Sequence, residues 1–376
     1  MNFFRNFFAF GLLAITVAVP RDFVQPTRSV INTAGKYDYI VSIPDVHGDL
    51  EILLRSLWMA KGEIEKKSDE FDDFYNQVRK KMEEEDDEDP GPSSISTSPR
   101  VLLVQTGDIV DRGPASKSCY KAIWAAEKIL GWDLVNLFGN HEVMSMAGQA
   151  DNYAHPEDVA EFGSMKARRT DFGPGGKIWK KLISKFQFML KVIIPKSEES
   201  ILFVHAGISV KYIEAIRKKL VPKSDEGDEL VDQLNSFLFK EVMRNPKSDY
   251  LTSANSPIWT RDLANGSEKK VCNSLLPGVL KLMNVTRIVL GHTPQEKLVT
   301  GNRCEGKLLL ADVAMSRWMG SGHNGNPSSV LFALSEDGNK LDRVVNLYWK
   351  GSVRGEEGQV VDHLLVDNLE DNHPEL

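Results

Sequence analysis

Five short stretches of the chain concentrate residues able to hold metal ions. "SIPDVHGDLE", residues 42–51, follows the apolar run "YIV" and places Asp45, His47 and Asp49 within five positions. "GDIVDRG" supplies Asp108, Asp111 and Arg112, "GNHE" supplies Asn140 and His141, "HAG" supplies His205, and "GHT" supplies His292. Carboxylate, imidazole and amide oxygen together suit Mn, Fe or Zn better than Ca or Mg alone. Each stretch has a plainer account when taken singly. A lone "HAG" or "GHT" is a turn with a hydrogen-bonded histidine, and "GDIVDRG" is an Asp-rich turn with a surface ion pair. The joint pattern weighs against those accounts, because four of the eight histidines fall at such places. Asp49 suits the start of the following helix as a cap.

The elements that must position these residues are short β-rich runs: "YIVSI" (39–43), "VLLVQT" (101–106), "LVNLF" (134–138), "ILFVH" (201–205), "RIVLG" (287–291), "LLLADV" (308–313) and "VLFAL" (330–334). Between several of them lie segments with helical spacing, such as "LEILLRSLWMA" and "SKSCYKAIWAAEKIL". Alternation of this kind predicts an α/β domain with helices packed on sheets. Ligands in such sheets bind outside the carboxyl ends of strands, so all five stretches can face one crevice. No repeat of 20 to 50 residues is present, which disfavours a solenoid.

Composition sets the remaining bounds. The 376 residues are 41% apolar, enough for one large or two modest cores. The formal net charge is -7. Residues 61–89 hold 6 Lys/Arg and 13 Asp/Glu, so 6 minus 13 accounts for all of it and the remainder sums to zero. No basic surplus marks a nucleic-acid footprint. Residues 7–19, "FFAFGLLAITVAV", follow Arg5 and precede Pro20, the pattern of a signal-peptide core, and residues 1–19 are assigned that role. The run is shorter than the roughly 20 residues of a membrane span, so no stable membrane anchor is expected, an uncleaved signal anchor being the alternative. A secreted or lumenal protein is therefore expected, and sequons at Asn265 and Asn284 are compatible with that route. Three cysteines allow at most one intrachain disulfide, and Cys272 with Cys304 is guessed as the pair.

The main domain is placed at residues 37–352. Within it, residues of about 80–100 form a like-charge block and then a Pro/Gly/Ser tract, which reads as a disordered surface insertion or an acidic docking arm. Residues 353–376 read as a polar C-terminal tail.

"DVHGD", "GDIVDRG", "GNHE", "HAG" and "GHT", in this order over roughly residues 39–312, resemble the metallophosphoesterase signature of the phosphoprotein phosphatase superfamily. "NHEVM", "DFGPGG", "PIWTRD" and "GHTPQ" further resemble its bacterial-like branch, the Shewanella-like protein phosphatases. The resemblance implies a layered αββα sandwich with a dinuclear site at strand C-terminal ends. It implies one divalent ion on Asp45, His47 and Asp108. A second lies on Asp108, Asn140, His205 and His292, with Asp108 bridging. Two such ions activate a bridging hydroxide and clamp the oxygens of an in-line displacement. His141 is implied as general acid, oriented by Asp111, with Arg112, Arg261 and Asn140 at the substrate phosphate. For Arg261, a surface ion pair with Asp262 is the alternative.

One departure from the family is Pro44, which stands where the relatives usually have Gly and removes an N–H. Among other candidates, Arg317 and His323 lie in a glycine-rich stretch able to reach phosphate. Trp58, Trp124 and Trp132 read as core. Tyr153 and Phe172 are candidates to flank a substrate ring. The expectation is a metal-dependent phosphatase acting on phosphoproteins, with manganese as the first metal and iron or zinc as others. A symmetric dinucleoside polyphosphate hydrolase and an inactive secreted binding module are the competing readings.

Overall fold

Near-continuous apolar runs such as "YIV" and "VLLV" are what parallel strands covered on both faces require, and the chain folds accordingly. A computed structural model describes residues 29–67, 69–84, 99–220, 227–295, 299–319, 325–351 and 358–366. Its strands are β1 (Val30–Asn32), β2 (Tyr39–Ile43), β3 (Val101–Gln105), β4 (Asp133–Leu137), β5 (Phe186–Gln187), β6 (Met189–Ile194), β7 (Glu199–Val204), β8 (Arg287–Leu290), β9 (Gly301–Arg303), β10 (Leu308–Leu310), β11 (Ser328–Leu334), β12 (Leu341–Gly351) and β13 (Gly358–Val366). They form one sheet in the order β13-β12-β11-β2-β3-β4-β5 and another in the order β1-β6-β7-β8-β10-β9.

The two sheets face each other. Ile40, Leu102 and Val104 from the first sheet share one buried cluster with Leu190, Phe203 and Val289 from the second. Phe203 on β7 and Phe332 on β11 meet across that layer at 5.9 Å between ring centroids. Alternate residues of the same strands, such as Val41, Leu103, Leu202 and Leu290, point outward into a second cluster with the helices. Period-two alternation between two apolar layers thus produces the αββα sandwich.

Helix α1 (Leu50–Glu65) begins where Asp49 accepts the Ile52 N–H at 3.4 Å, and it ends at Lys66 in the left-handed region. It buries Ile52, Leu53, Leu57, Ala60 and Ile64. After it come α2 (Phe71–Glu84), α3 (Ser116–Leu130), α4 (Asn140–Met146), α5 (Pro156–Glu161) and α6 (Met165–Phe172).

Two expectations on organisation differ from what is seen. Residues 80–84 belong to α2, so the acidic block starts inside a helix that buries only Phe74 and Val78; residues 85–98 lie outside the described ones. The C-terminal stretch taken as a polar tail contains β13, paired antiparallel with β12 from Gly351↔Gly358 to Val344↔Val366. An edge strand with Val360 and Leu364 exposed has no clean apolar face, which hid it from pattern reading. Residues 1–19 lie outside the described ones, and no helix among the described residues is long and apolar enough to cross a membrane. The guessed disulfide is present, joining Cys272 to Cys304, and Cys119 is free and buried.

Candidate metal centre

Six strands end at one place, three from each sheet. β2, β3 and β4 are parallel neighbours and are followed by Asp45, Asp108 and the Asn140–His141 pair. β7, β8 and β10 are also parallel neighbours and are followed by His205, His292 and Asp312. The site loops are held in unusual backbone: His47, Asp108, Asp111, Arg112 and His292 all have φ between 49° and 72°. Such residues persist only where the surroundings over-determine them. Gly139 and Gly291 permit close approach, because a Cβ on either would collide with a carboxylate oxygen, of Asp108 or of Asp45 respectively.

Asp108 lies at the centre. Its Oδ2 is 3.8 Å from His47 Nε2 and 3.4 Å from His205 Nε2, while Asn140 Oδ1 lies 3.1 Å from the same His205 nitrogen. Each histidine uses its other nitrogen on a backbone carbonyl: His47 Nδ1 on Val110 at 3.2 Å, His205 Nδ1 on Thr106 at 2.8 Å, and His292 Nε2 on Trp259 at 3.1 Å. A carbonyl partner of this kind fixes the ring and leaves the remaining nitrogen for a metal. His47, Asp108 and His141 form one group with ligand atoms within 4.8 Å of one another, and Asp108, His205 and His292 form a second. The first group differs from the implied set, since His141 stands in it where Asp45 was placed. Asp45 accepts the His292 N–H with both oxygens, at 3.1 and 3.0 Å.

Charge in the cluster favours a cation. Burial, and then repulsion by Asp312, pushes the Asp45 carboxyl well above the usual range. Burial likewise lifts Asp312 to about 6. Burial opposes ionisation of Asp108, yet His205 and His141 beside it hold its carboxyl well below the usual range. His205 is raised to about 10 against its own burial by Asp108 and then Asp45. His47 falls to about 3 and His292 to about 2, by burial first and then by His141 and His205 respectively. Two neutral imidazoles, an amide oxygen and buried carboxylates, with Asp312 Oδ2 lacking a partner, match the donor chemistry of divalent transition metals.

Beside these groups His141 Nδ1 meets Asp111 Oδ2 at 2.8 Å. The residues 39–296 that carry this geometry match the family model described as calcineurin-like phosphoesterase. The chain belongs to the calcineurin-like phosphoesterase family. This phosphoesterase is 34% identical over 265 residues to an uncharacterised protein of Schizosaccharomyces pombe, covering 68% of the chain and 72% of the relative. It is 25% identical over 297 residues to Shewanella-like protein phosphatase 1 of Plasmodium berghei, covering 75% and 70%. Among solved structures, the cold-active protein tyrosine phosphatase of a Shewanella species aligns with a TM-score of 0.58 at 20% identity, over 91% of this chain and 83% of that one. The family makes the chain a phosphoesterase, a hydrolase of phosphate esters.

The remaining candidates separate clearly. Arg112 is half-buried, its Nε is unpartnered, and its guanidinium lies 5.6 Å from the Tyr153 ring. Arg261 is exposed and donates to Thr293 Oγ1 at 3.1 Å, so no ion pair with Asp262 is formed. Tyr153 is 41% exposed with its ring 5.1 Å from that of His141, which puts it at the mouth of the site. Phe172 is fully buried and cannot flank a substrate. Arg317 is likewise corrected: it is tied to Asp49 at 2.6 Å and Glu51 at 2.7 Å, which spends its charge on α1. His323 lies outside the described residues. Pro44 is accommodated, because the loop amides that bond across to the Asp108–Ile109 backbone begin at Val46.

Two residues went unread in the sequence. Glu142 is buried and accepts the N–H groups of Asp108, Ile109 and Gly139 at 2.8 to 2.9 Å, clamping the "GDIV" loop to the "GNHE" loop. It stands at N3 of α4 and reaches back to the N-cap Gly139 N–H, but Gly139 has no side chain to complete a capping box, so the sequence carried no such signature. Asp312 carried no signal either, because its strand reads only as an apolar run.

Proposed function

We propose that this phosphoesterase is a secreted or lumenal protein phosphatase acting on phosphoserine, phosphothreonine or phosphotyrosine, and that phosphorylated polypeptide is its partner. The observation that carries the reading is the buried His141–Asp111 contact beside the Asp108-centred ligand cluster. Asp45, His47, Asp108, Asn140, His205 and His292 would hold two divalent ions, manganese first and iron or zinc as alternatives. Bound there, the ions would supply an activated water and offset phosphoryl charge.

The side chains carry the other steps. Arg112 and Arg261 would bind and orient the phosphoryl oxygens, Arg112 through a guanidinium whose Nε has no protein partner. Asp111 accepts from His141 Nδ1, which leaves Nε2 to give its proton to the departing oxygen. Tyr153 faces the space where the alcohol or phenol leaves. The Cys272–Cys304 disulfide supports an oxidising compartment. The test is phosphate release from p-nitrophenyl phosphate and from phosphopeptides, after metal stripping and Mn²⁺ addition. Metal-dependent release from peptides is expected. Release from diadenosine tetraphosphate alone, or from nothing, would replace this reading with one of its competitors.

A further inference from the structure

The insert between "GNHE" and "HAG" carries a buried guanidinium. Arg168 on α6 is 2% exposed. Its Nη2 donates to Asp111 Oδ1 at 2.5 Å, and its Nε donates to Asp158 Oδ2 at 2.8 Å. Asp158 Oδ1 in turn accepts the Ser116 N–H at 3.0 Å, and Ser116 Oγ accepts the Asp111 N–H at 3.1 Å. The four residues close a ring. Phe162 and Phe172 wall it, with ring centroids 5.7 and 5.0 Å from the guanidinium carbon.

The ring has one outlet toward chemistry. Asp111 gives Oδ1 to Arg168 and Oδ2 to His141, and its carboxyl is fully buried. A carboxylate buried this deeply cannot draw on water for a counter-charge, and the guanidinium, anchored through Nε on Asp158, presents a fixed donor to one of its oxygens. We propose that Arg168 is a positioning residue for leaving-group protonation. It holds the Asp111 carboxylate in the one orientation that aligns His141. The inference rests on the reading of His141 as the acid given above. It assigns a catalytic purpose to the α5–α6 insert: one charge delivered from outside the metal-bearing loops.

The competing account is a clamp that merely fastens the insert. Leaving-group dependence separates the two, because phenyl phosphate needs proton donation to its leaving oxygen far more than p-nitrophenyl phosphate does. With the full metal-loaded protein, Arg168→Met is expected to lower kcat on phenyl phosphate about 10- to 100-fold more than on p-nitrophenyl phosphate, a fraction of what general acid catalysis supplies. Metal content should not change, and adding the substitution to His141→Ala should cost nothing further on phenyl phosphate. Equal losses on both substrates, or a full additional loss in the double variant, would overturn the proposal. Should Arg168→Met fail to fold, Arg168→Lys decides: it should again lower kcat on phenyl phosphate more than on p-nitrophenyl phosphate, and equal losses on both would overturn the proposal. His141→Ala tests the underlying reading separately: if it shows no leaving-group dependence, the acid assignment fails and the proposal falls with it, whereas failure of Arg168→Met alone leaves the acid assignment standing.

Discussion

His205 Nε2 lies 3.4 Å from Asp108 Oδ2, joining a histidine that follows a strand of one sheet to an aspartate that follows a strand of the other. Asp108 and Asp45 raise the His205 pKa to about 10. The charged imidazole must lose its proton before it can take a metal.

Metal loading should therefore release a proton. With a folded-state pKa near 10 against about 6.5 unfolded, His205 stabilises the metal-free protein below pH 6.5, and that contribution is lost as pH rises through 10. Metal competes with the same proton, so Mn²⁺ affinity should rise about tenfold per pH unit between about 7 and 9. His47 and His292, at about 3 and about 2, are neutral throughout this window and add no slope. Calorimetric titration in two buffers of different ionisation enthalpy measures the proton count, and a value of zero would refute the prediction.

Asp108→Asn should lower metal content and kcat together. Its carboxylate touches both histidine groups, so the loss should exceed the roughly 10- to 100-fold typical of removing a ligand's outer hydrogen-bond partner. Elemental analysis alongside p-nitrophenyl phosphate turnover checks this; full metal content in the variant would contradict it.

Arg112→Ala should reduce kcat/KM by roughly 10- to 100-fold, the worth of one charge-assisted hydrogen bond of about 1.5–3 kcal/mol. Arg261 is exposed and already bonded to Thr293. Its alanine variant should lose less under the same assay.

Tyr153→Ala and Phe172→Ala should part company. Phe172 is fully buried among Tyr120, Phe162 and Arg168, so its loss should cost about 3–5 kcal/mol in urea unfolding. Tyr153 is exposed, and its removal should change stability by no more than about 0.5 kcal/mol. It should instead shift the ratio of rates on phosphotyrosine and phosphoserine peptides; an unchanged ratio would remove Tyr153 from the substrate site.

Reduction of Cys272–Cys304, or Cys304→Ser, should destabilise the protein by about 3–4 kcal/mol for a 32-residue separation. Unfolding midpoints with and without reductant supply the comparison.

Legibility in the sequence followed burial. The strands carrying Asp45, Asp108, Asn140, His205 and His292 are covered on both faces, so they read as apolar runs interrupted by polar residues. β13, an edge strand with Val360 and Leu364 exposed, gave no such run. Arg168 was illegible for another reason. "MKARRTDF" has two adjacent arginines, and nothing in the pair tells which enters the core; Arg168 is buried, while its neighbour Arg169 bonds Asp151 at the surface. Phe172, a candidate to flank a substrate ring from its place in the insert between "GNHE" and "HAG", instead packs on Tyr120, Phe162 and Arg168.

Five ligand-bearing strands, three from one sheet and two from the other, also impose an order of assembly. On the proposed ligand set, Asp45, His47, Asp108 and Asn140 leave the ribosome well before His205 and His292. A nascent chain that ends at β5 would carry all three residues of the first site and two of the four of the second. Completion of the second site would then be a late step of biogenesis, gated by arrival of β7 and β8, and the second ion would act as a rivet between parts of the chain made at different times.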